Sequence, residues 1–176
     1  DGQFDLPYGV AVAPDGSVYV ADYSNHRIQR FTSEGVFVSK WGTQGSGDGE
    51  FDWPREVAVA SDGSVYVADQ LNNRIQRFTS EGVFVSKWGT EGTGDGQFDL
   101  PYGVAVAPDG SVYVADYSNH RIQRFTSEGV FVSKWGTEGV GDGEFSGPEG
   151  VAVASDGSVY VSDVNNHRIQ KFTVGP

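Results

Sequence analysis

A chain of 176 residues with 24 Asp and Glu against 12 Lys and Arg has a formal charge of −12, a field that repels a phosphate backbone and an anionic membrane surface alike. Its 38% hydrophobic and 13% aromatic residues suffice for a packed core, so the 25 glycines read as turn residues and not as a disordered tract. The absence of cysteine excludes disulfides, thiolate metal sites and Cys nucleophiles and leaves the compartment undetermined; no apolar run approaches the ~18 residues of a membrane span, and no signal peptide is visible.

Asp-Gly-Gln/Glu-Phe recurs at Asp1, Asp48, Asp95 and Asp142, a period of 47 residues that divides a single domain into repeats 1–47, 48–94, 95–141 and 142–176. In the first unit, strand a is predicted at Gly9–Ala13, followed by the turn Pro14-Asp15-Gly16, where proline presets φ and glycine takes the left-handed position. Strand b follows at Ser17–Asp22, a short loop at 23–26, and strand c at Arg27–Thr32. Ser33-Glu34-Gly35 suits a hairpin with a bulge, strand d runs Val36–Trp41, and a glycine-rich connector leads to the next unit. No segment holds a 3.6-residue apolar period over ~10 residues, which rules out a helical reading. Each unit is therefore an up-and-down antiparallel sheet of four strands. The fourth shows signals for a, b and c but none for d, and the N-terminus offers no spare strand.

A sheet with apolar side chains on both faces must be covered on both, and copies stacked radially give a β-propeller; a β-sandwich would not account for the 47-residue period. The segments Pro7–Val12, Gly16–Asp22 and Asn25–Phe31 resemble the NHL repeat, and the last motif returns at 72–78, 119–125 and 166–172. That resemblance implies propeller blades, usually about six to a ring, used for protein or RNA recognition. Two departures stand out: four units in place of six, and no strand to complete the last one. A start in mid-motif and the lack of Met read as an excised or engineered segment. Blades one and four would expose apolar faces, so the chain is expected to form a homo-oligomer, two chains giving eight blades, with a strained four-bladed monomer as the competitor.

His26, His120 and His167 hold one repeat position, with Asn73 in the remaining unit; blade symmetry spreads them too far for a shared ion, and no metal or cofactor is expected. Four pairs, Asp22 with Arg27, Asp69 with Arg74, Asp116 with Arg121 and Asp163 with Arg168, read as structural clamps of the b–c loop, the other reading being a charged ligand contact. The connector acids Asp48, Glu50 and Asp52 lack EF-hand spacing, and no phosphate-binding loop or nucleophile elbow occurs. The inner strand ends read Gly-Val-Ala-Val with only Glu56 and Glu149 nearby, so no enzyme is expected. Trp41, Trp88 and Trp135 repeat identically and are predicted to pack between blades.

The units differ mainly at the b–c loop and the end of the d–a connector, which share one face of such a blade. Candidates for a ligand face are Tyr8, Tyr23, Trp53, Arg55, Glu56, Tyr102, Tyr117 and Glu149, aromatics with an arginine of the kind that anchors interfaces. The leading function is a non-enzymatic scaffold for protein or peptide recognition on that face. The second is a structural or engineered repeat protein without a natural ligand, assembling by blade packing; units one and three, differing only at Gln44/Glu138 and Ser46/Val140, favour it.

Overall fold

The computed structural model describes residues 1–175. Turn chemistry sets the strands. At Pro14-Asp15-Gly16 the Gly16 N–H donates to the Ala13 carbonyl (2.9 Å) and the Ser17 N–H to Asp15 Oδ1 (2.8 Å), and the chain reverses. The first sheet holds β1 (Pro7–Val12), β2 (Val18–Asp22), β3 (Arg27–Phe31) and β4 (Phe37–Trp41). The second holds β5 (Pro54–Val59), β6 (Val65–Asp69), β7 (Arg74–Phe78) and β8 (Phe84–Trp88). The third holds β9 (Pro101–Val106), β10 (Val112–Asp116), β11 (Arg121–Phe125) and β12 (Phe131–Trp135). The fourth holds β13 (Pro148–Val153), β14 (Ser158–Asp163) and β15 (Arg168–Thr173). Strands pair in sequence order and antiparallel in every sheet, and the fourth sheet has three strands among the described residues.

The bounds shift from the sequence reading in all four strands of the first unit: Ala13, Ser17, Thr32 and Val36 fall outside their strands, and β1 begins earlier. β1 starts at Pro7, two residues ahead of Gly9, because Pro7 pairs with Asp22 beyond an irregularity that precedes the regular Val10–Val20 register. β4 starts at Phe37 and not Val36, since the Val36 carbonyl accepts the Thr32 N–H (2.8 Å) and closes the turn; a register shift between Arg30 and Phe31 marks the expected bulge.

The four sheets are the blades of a propeller: β1 lies beside β5, β5 beside β9 and β9 beside β13. The core lies between sheets, not within one. Tyr19, Ala21 and Ile28 of the first blade meet Val57, Val65, Val67 and Phe78 of the second. Tyr66, Ala68 and Ile75 meet Val104, Val112, Val114 and Phe125, and Tyr113, Ala115 and Ile122 meet Val151, Val159, Val161 and Phe172. One junction is thus built three times. The Tyr19 hydroxyl pins it by donating to the Ser80 carbonyl (3.0 Å), as Tyr66 does to Ser127 (3.2 Å). Trp41 bridges it, its ring 6.1 Å from Tyr19 and 5.7 Å from Phe78 of the next blade. The indole also lies flat on Gly82, where φ is +83° and a Cβ would strike the ring, so the position requires glycine twice over.

The two ends of the stack are uncovered. Val10 is 62% exposed where its counterpart Val57 is 2% exposed, and Ile169 is 66% exposed where Ile122 is fully buried.

Candidate binding site

The face that could bind begins with its loop clamps. Asp22 is fully buried and accepts from Arg27 Nε (2.6 Å), Asn25 Nδ2 (3.0 Å), Gln29 Nε2 (2.9 Å) and the Asp5 N–H (2.8 Å). One carboxylate therefore ties the b–c loop to the end of the d–a connector, which places both on one face. Asp69–Arg74, Asp116–Arg121 and Asp163–Arg168 repeat the pair at 2.7 Å. Arg74 also donates to the carbonyls of Ser46, Gly47 and Glu50, stapling the connector onto its blade. Burial pushes these carboxyls up and the donors pull them down. In the outer blades the donors prevail and Asp22 and Asp163 lie below the ordinary aspartate value; in the middle blades burial prevails and Asp69 and Asp116 lie above it.

His26 and His120 work across the blade boundary. His26 Nδ1 accepts the Trp53 N–H (3.2 Å) and His120 Nδ1 the Gly147 N–H (3.2 Å). Asn73 does the same with Oδ1 towards Leu100 (2.9 Å). All hold left-handed φ near +50°, a conformation asparagine and histidine tolerate better than most residues. Among the described residues, no group of three or more His, Asp or Glu side chains is disposed to hold a metal ion.

A single repeat position builds the centre of this face. Tyr8, Arg55, Tyr102 and Glu149 are its four copies, one near the start of each inner strand, and they converge. The Arg55 guanidinium lies 4.6 Å from the Tyr8 ring centre and 3.9 Å from that of Tyr102, and its Nη2 reaches Glu149 Oε2 at 3.2 Å. Cation–π contact on two sides and an ion pair on the third hold it in place. Beneath them is a cavity of about 240 Å³, lined also by Glu56, Gly103, Gly150 and Ser162. The inner strands pinch together here: a Cβ at Gly103 would collide with the Glu149 carbonyl oxygen. Glu56, where the other blades have Gly9, Gly103 and Gly150, puts the one side chain of that position into the cavity. Burial pushes its carboxyl up to about 7, against the pull of the Val57 N–H (3.1 Å) and of Arg55.

The remaining candidates flank this centre. Tyr117 stacks on Tyr102, ring centres 4.3 Å apart. Trp53 is exposed beside Tyr23 (4.6 Å). Tyr23 itself is buried, wedged between Tyr8 (4.7 Å) and Trp53, with its hydroxyl donating to Gln70 Oε1 (3.2 Å); it supports the surface and does not form it. Two residues of the site escaped the sequence reading as candidates. Gln70 receives Tyr23, and Ser162 Oγ takes the Gly150 N–H at 2.7 Å inside the cavity wall. Ser162 was visible in principle, since it stands where the other units have Ala21, Ala68 and Ala115.

The NHL repeat model matches this chain four times, at residues 4–31, 51–78, 98–125 and 145–172. The chain belongs to the NHL repeat family. Two curated relatives match over short segments. Protein brain tumor of Drosophila melanogaster is 48% identical over 48 residues, 27% of this chain and 5% of that protein. B-box type zinc finger protein ncl-1 of Caenorhabditis elegans is 57% identical over 37 residues, 21% of this chain and 4% of that one. Among solved structures, one from the nidogen/laminin complex superposes with a TM-score of 0.74 at 18% identity, over 95% of this chain and 60% of that one. Streptogramin B lyase gives 0.69 at 16% identity, over 96% and 54%. The WD40 repeats of RRP9 give 0.68 at 14% identity, over 94% and 50%. At such identities the likeness establishes the propeller fold and nothing finer, and the chain spans little more than half of these structures.

Proposed function

We propose that this NHL propeller is a non-catalytic scaffold that recognises a protein or peptide on the face formed by its b–c loops and d–a connectors. The single observation that carries this reading is the convergence of Tyr8, Arg55, Tyr102 and Glu149. Where most of the repeat is held constant, this position differs between blades and gathers two tyrosines, an arginine and a carboxylate into one cluster. Such residues, held rigid before any ligand arrives, make good anchors because little side-chain entropy is lost on binding. A cavity of about 240 Å³ has room for one side chain of a peptide; it falls below the ~300–1,000 Å³ usual for cofactor-sized ligands.

Selection of binders from a random peptide library, followed by titration against Arg55→Ala and Tyr102→Ala, tests the reading. Affinity is expected to fall at least about tenfold with either change, the size of a modest hot spot, while Glu81→Ala, in the turn between β7 and β8 on the opposite face, leaves it intact. Peptides indifferent to both axial changes would contradict it. A second reading, a structural repeat protein without a natural ligand, draws on the near-identity of units one and three; a library that yields no binder at all favours it.

A further inference from the structure

The three internal junctions join one kind of face to another. The leading face carries Tyr19, Ala21 and Ile28, or their copies Tyr66, Ala68 and Ile75, and Tyr113, Ala115 and Ile122. The receiving face carries Val57, Val65, Val67 and Phe78, or their copies. At the two ends of the stack each kind is left without its partner. The fourth blade presents a leading face, with Tyr160 and Ile169 exposed at the register positions of Tyr19 and Ile28. The first presents a receiving face, with Phe4, Val10 and Val12 exposed where Phe51, Val57 and Val59 take part in a junction.

We propose that two copies of this chain join head to tail, the fourth blade of each packing on the first blade of the other, to close a two-fold ring of eight blades. The partner is fixed by register, because the two free faces are the two halves of a junction this chain already makes three times. Polar groups match as well as apolar ones. Tyr160 is placed to donate to the Ser33 carbonyl of a second copy, as Tyr19 donates to Ser80. Lys171 takes the position of Arg30, which donates to the same Ser80 carbonyl at 3.2 Å. His167, whose copies His26 and His120 each accept an N–H from the next blade, would accept that of Leu6. Joining the ends head to tail consumes both exposed faces, whereas like-to-like pairing of first blades would leave both fourth blades bare. Among the described residues the fourth sheet has three strands, so the junction proposed here rests on the Tyr160 and Ile169 half-face and is argued without a counterpart of the Trp41–Gly82 contact.

Light scattering on the whole chain and two variants tests this. The wild type is expected at twice the 18.9 kDa chain mass, falling towards one chain on dilution. Val10→Asp spoils only the receiving face and Ile169→Asp only the leading face, so each alone is expected to be monomeric with an unchanged strand-rich circular dichroism spectrum. An equimolar mixture restores one sound junction and is expected to give a heterodimer. A wild type that stays monomeric at high concentration, a particle of three or more chains, a variant that still dimerises alone, or a mixture that does not pair would each overturn the proposal. If either aspartate variant loses the strand spectrum, Tyr160→Phe decides instead. Removing only the hydroxyl is expected to raise the dimer dissociation constant about fivefold, and an unchanged constant overturns the proposal.

Discussion

Arg55 and Glu56 are consecutive in sequence, and both are foreign to the other units. Arg55 stands where the outer blades have Tyr8 and Glu149, and Glu56 stands in a row of glycines. Glu56 has a cost that can be measured. Its carboxyl lies near 7 in the folded chain against 4.5 when exposed, so the native state holds the proton more tightly than the unfolded one. Its favourable share of stability is complete below about pH 4.5, declines as pH rises from there to 7, and is gone above that. Glu56→Gln mimics the protonated form throughout. Urea denaturation at pH 8 should show the variant more stable by about 1–3 kcal/mol, and the two proteins should converge towards pH 5. Equal differences at both pH values would mean that the carboxyl is not buried as described. The histidine role shows where residue-level reading stops. In the sequence His26 reads as a structural or a solvated residue without distinction, because its partner, the Trp53 N–H, belongs to another unit and only blade packing brings it near.

Within one unit, strand existence and order were legible because each boundary carries its own chemistry: Pro-Asp-Gly or Ser-Asp-Gly between the first two strands, and Ser-Glu-Gly between the last two where present. What strand b and c residues do is decided by the neighbouring element. Ile28, Ile75 and Ile122 are buried by the next blade, and Ile169, in the same local sequence, has none within the chain. Ile122→Ala is accordingly expected to cost about 2–5 kcal/mol in thermal or urea unfolding, and Ile169→Ala less than about 1 kcal/mol at concentrations where the chain is monomeric. Similar costs at both sites would show that burial between blades is not what distinguishes them. The same dependence on neighbours explains the beginning of β1. Pro7 joins the sheet through an irregular pairing with Asp22, which the alternation of apolar residues from Gly9 onward does not announce. The axial cluster was half legible. Comparing units gave Tyr8, Arg55, Tyr102 and Glu149 as one of several varying positions, but that the four meet around one guanidinium follows only from the close approach of the inner strands at glycines such as Gly103.

At the scale of the whole molecule, stability rests on repetition. The buried clusters straddle the junctions between blades, each joining one half-face to the complementary half-face of the next. A quasi-one-dimensional array of this kind gains most of its stability from contacts between neighbours, and its ends are its weak points. The fold class and period follow from the sequence because every unit repeats the same request for two neighbours. How many units surround the axis does not, because the angle between blades depends on how closely the inner strands pack. A four-stranded sheet of this length has no hydrophobic core of its own. The most direct measurement is therefore on one unit by itself: residues 48–94 produced alone and followed by far-ultraviolet circular dichroism through a urea titration at micromolar concentration. No cooperative transition is expected, and signal typical of strands should emerge only where units associate. A single unit that is monomeric and unfolds cooperatively would contradict the claim that blades are held by one another.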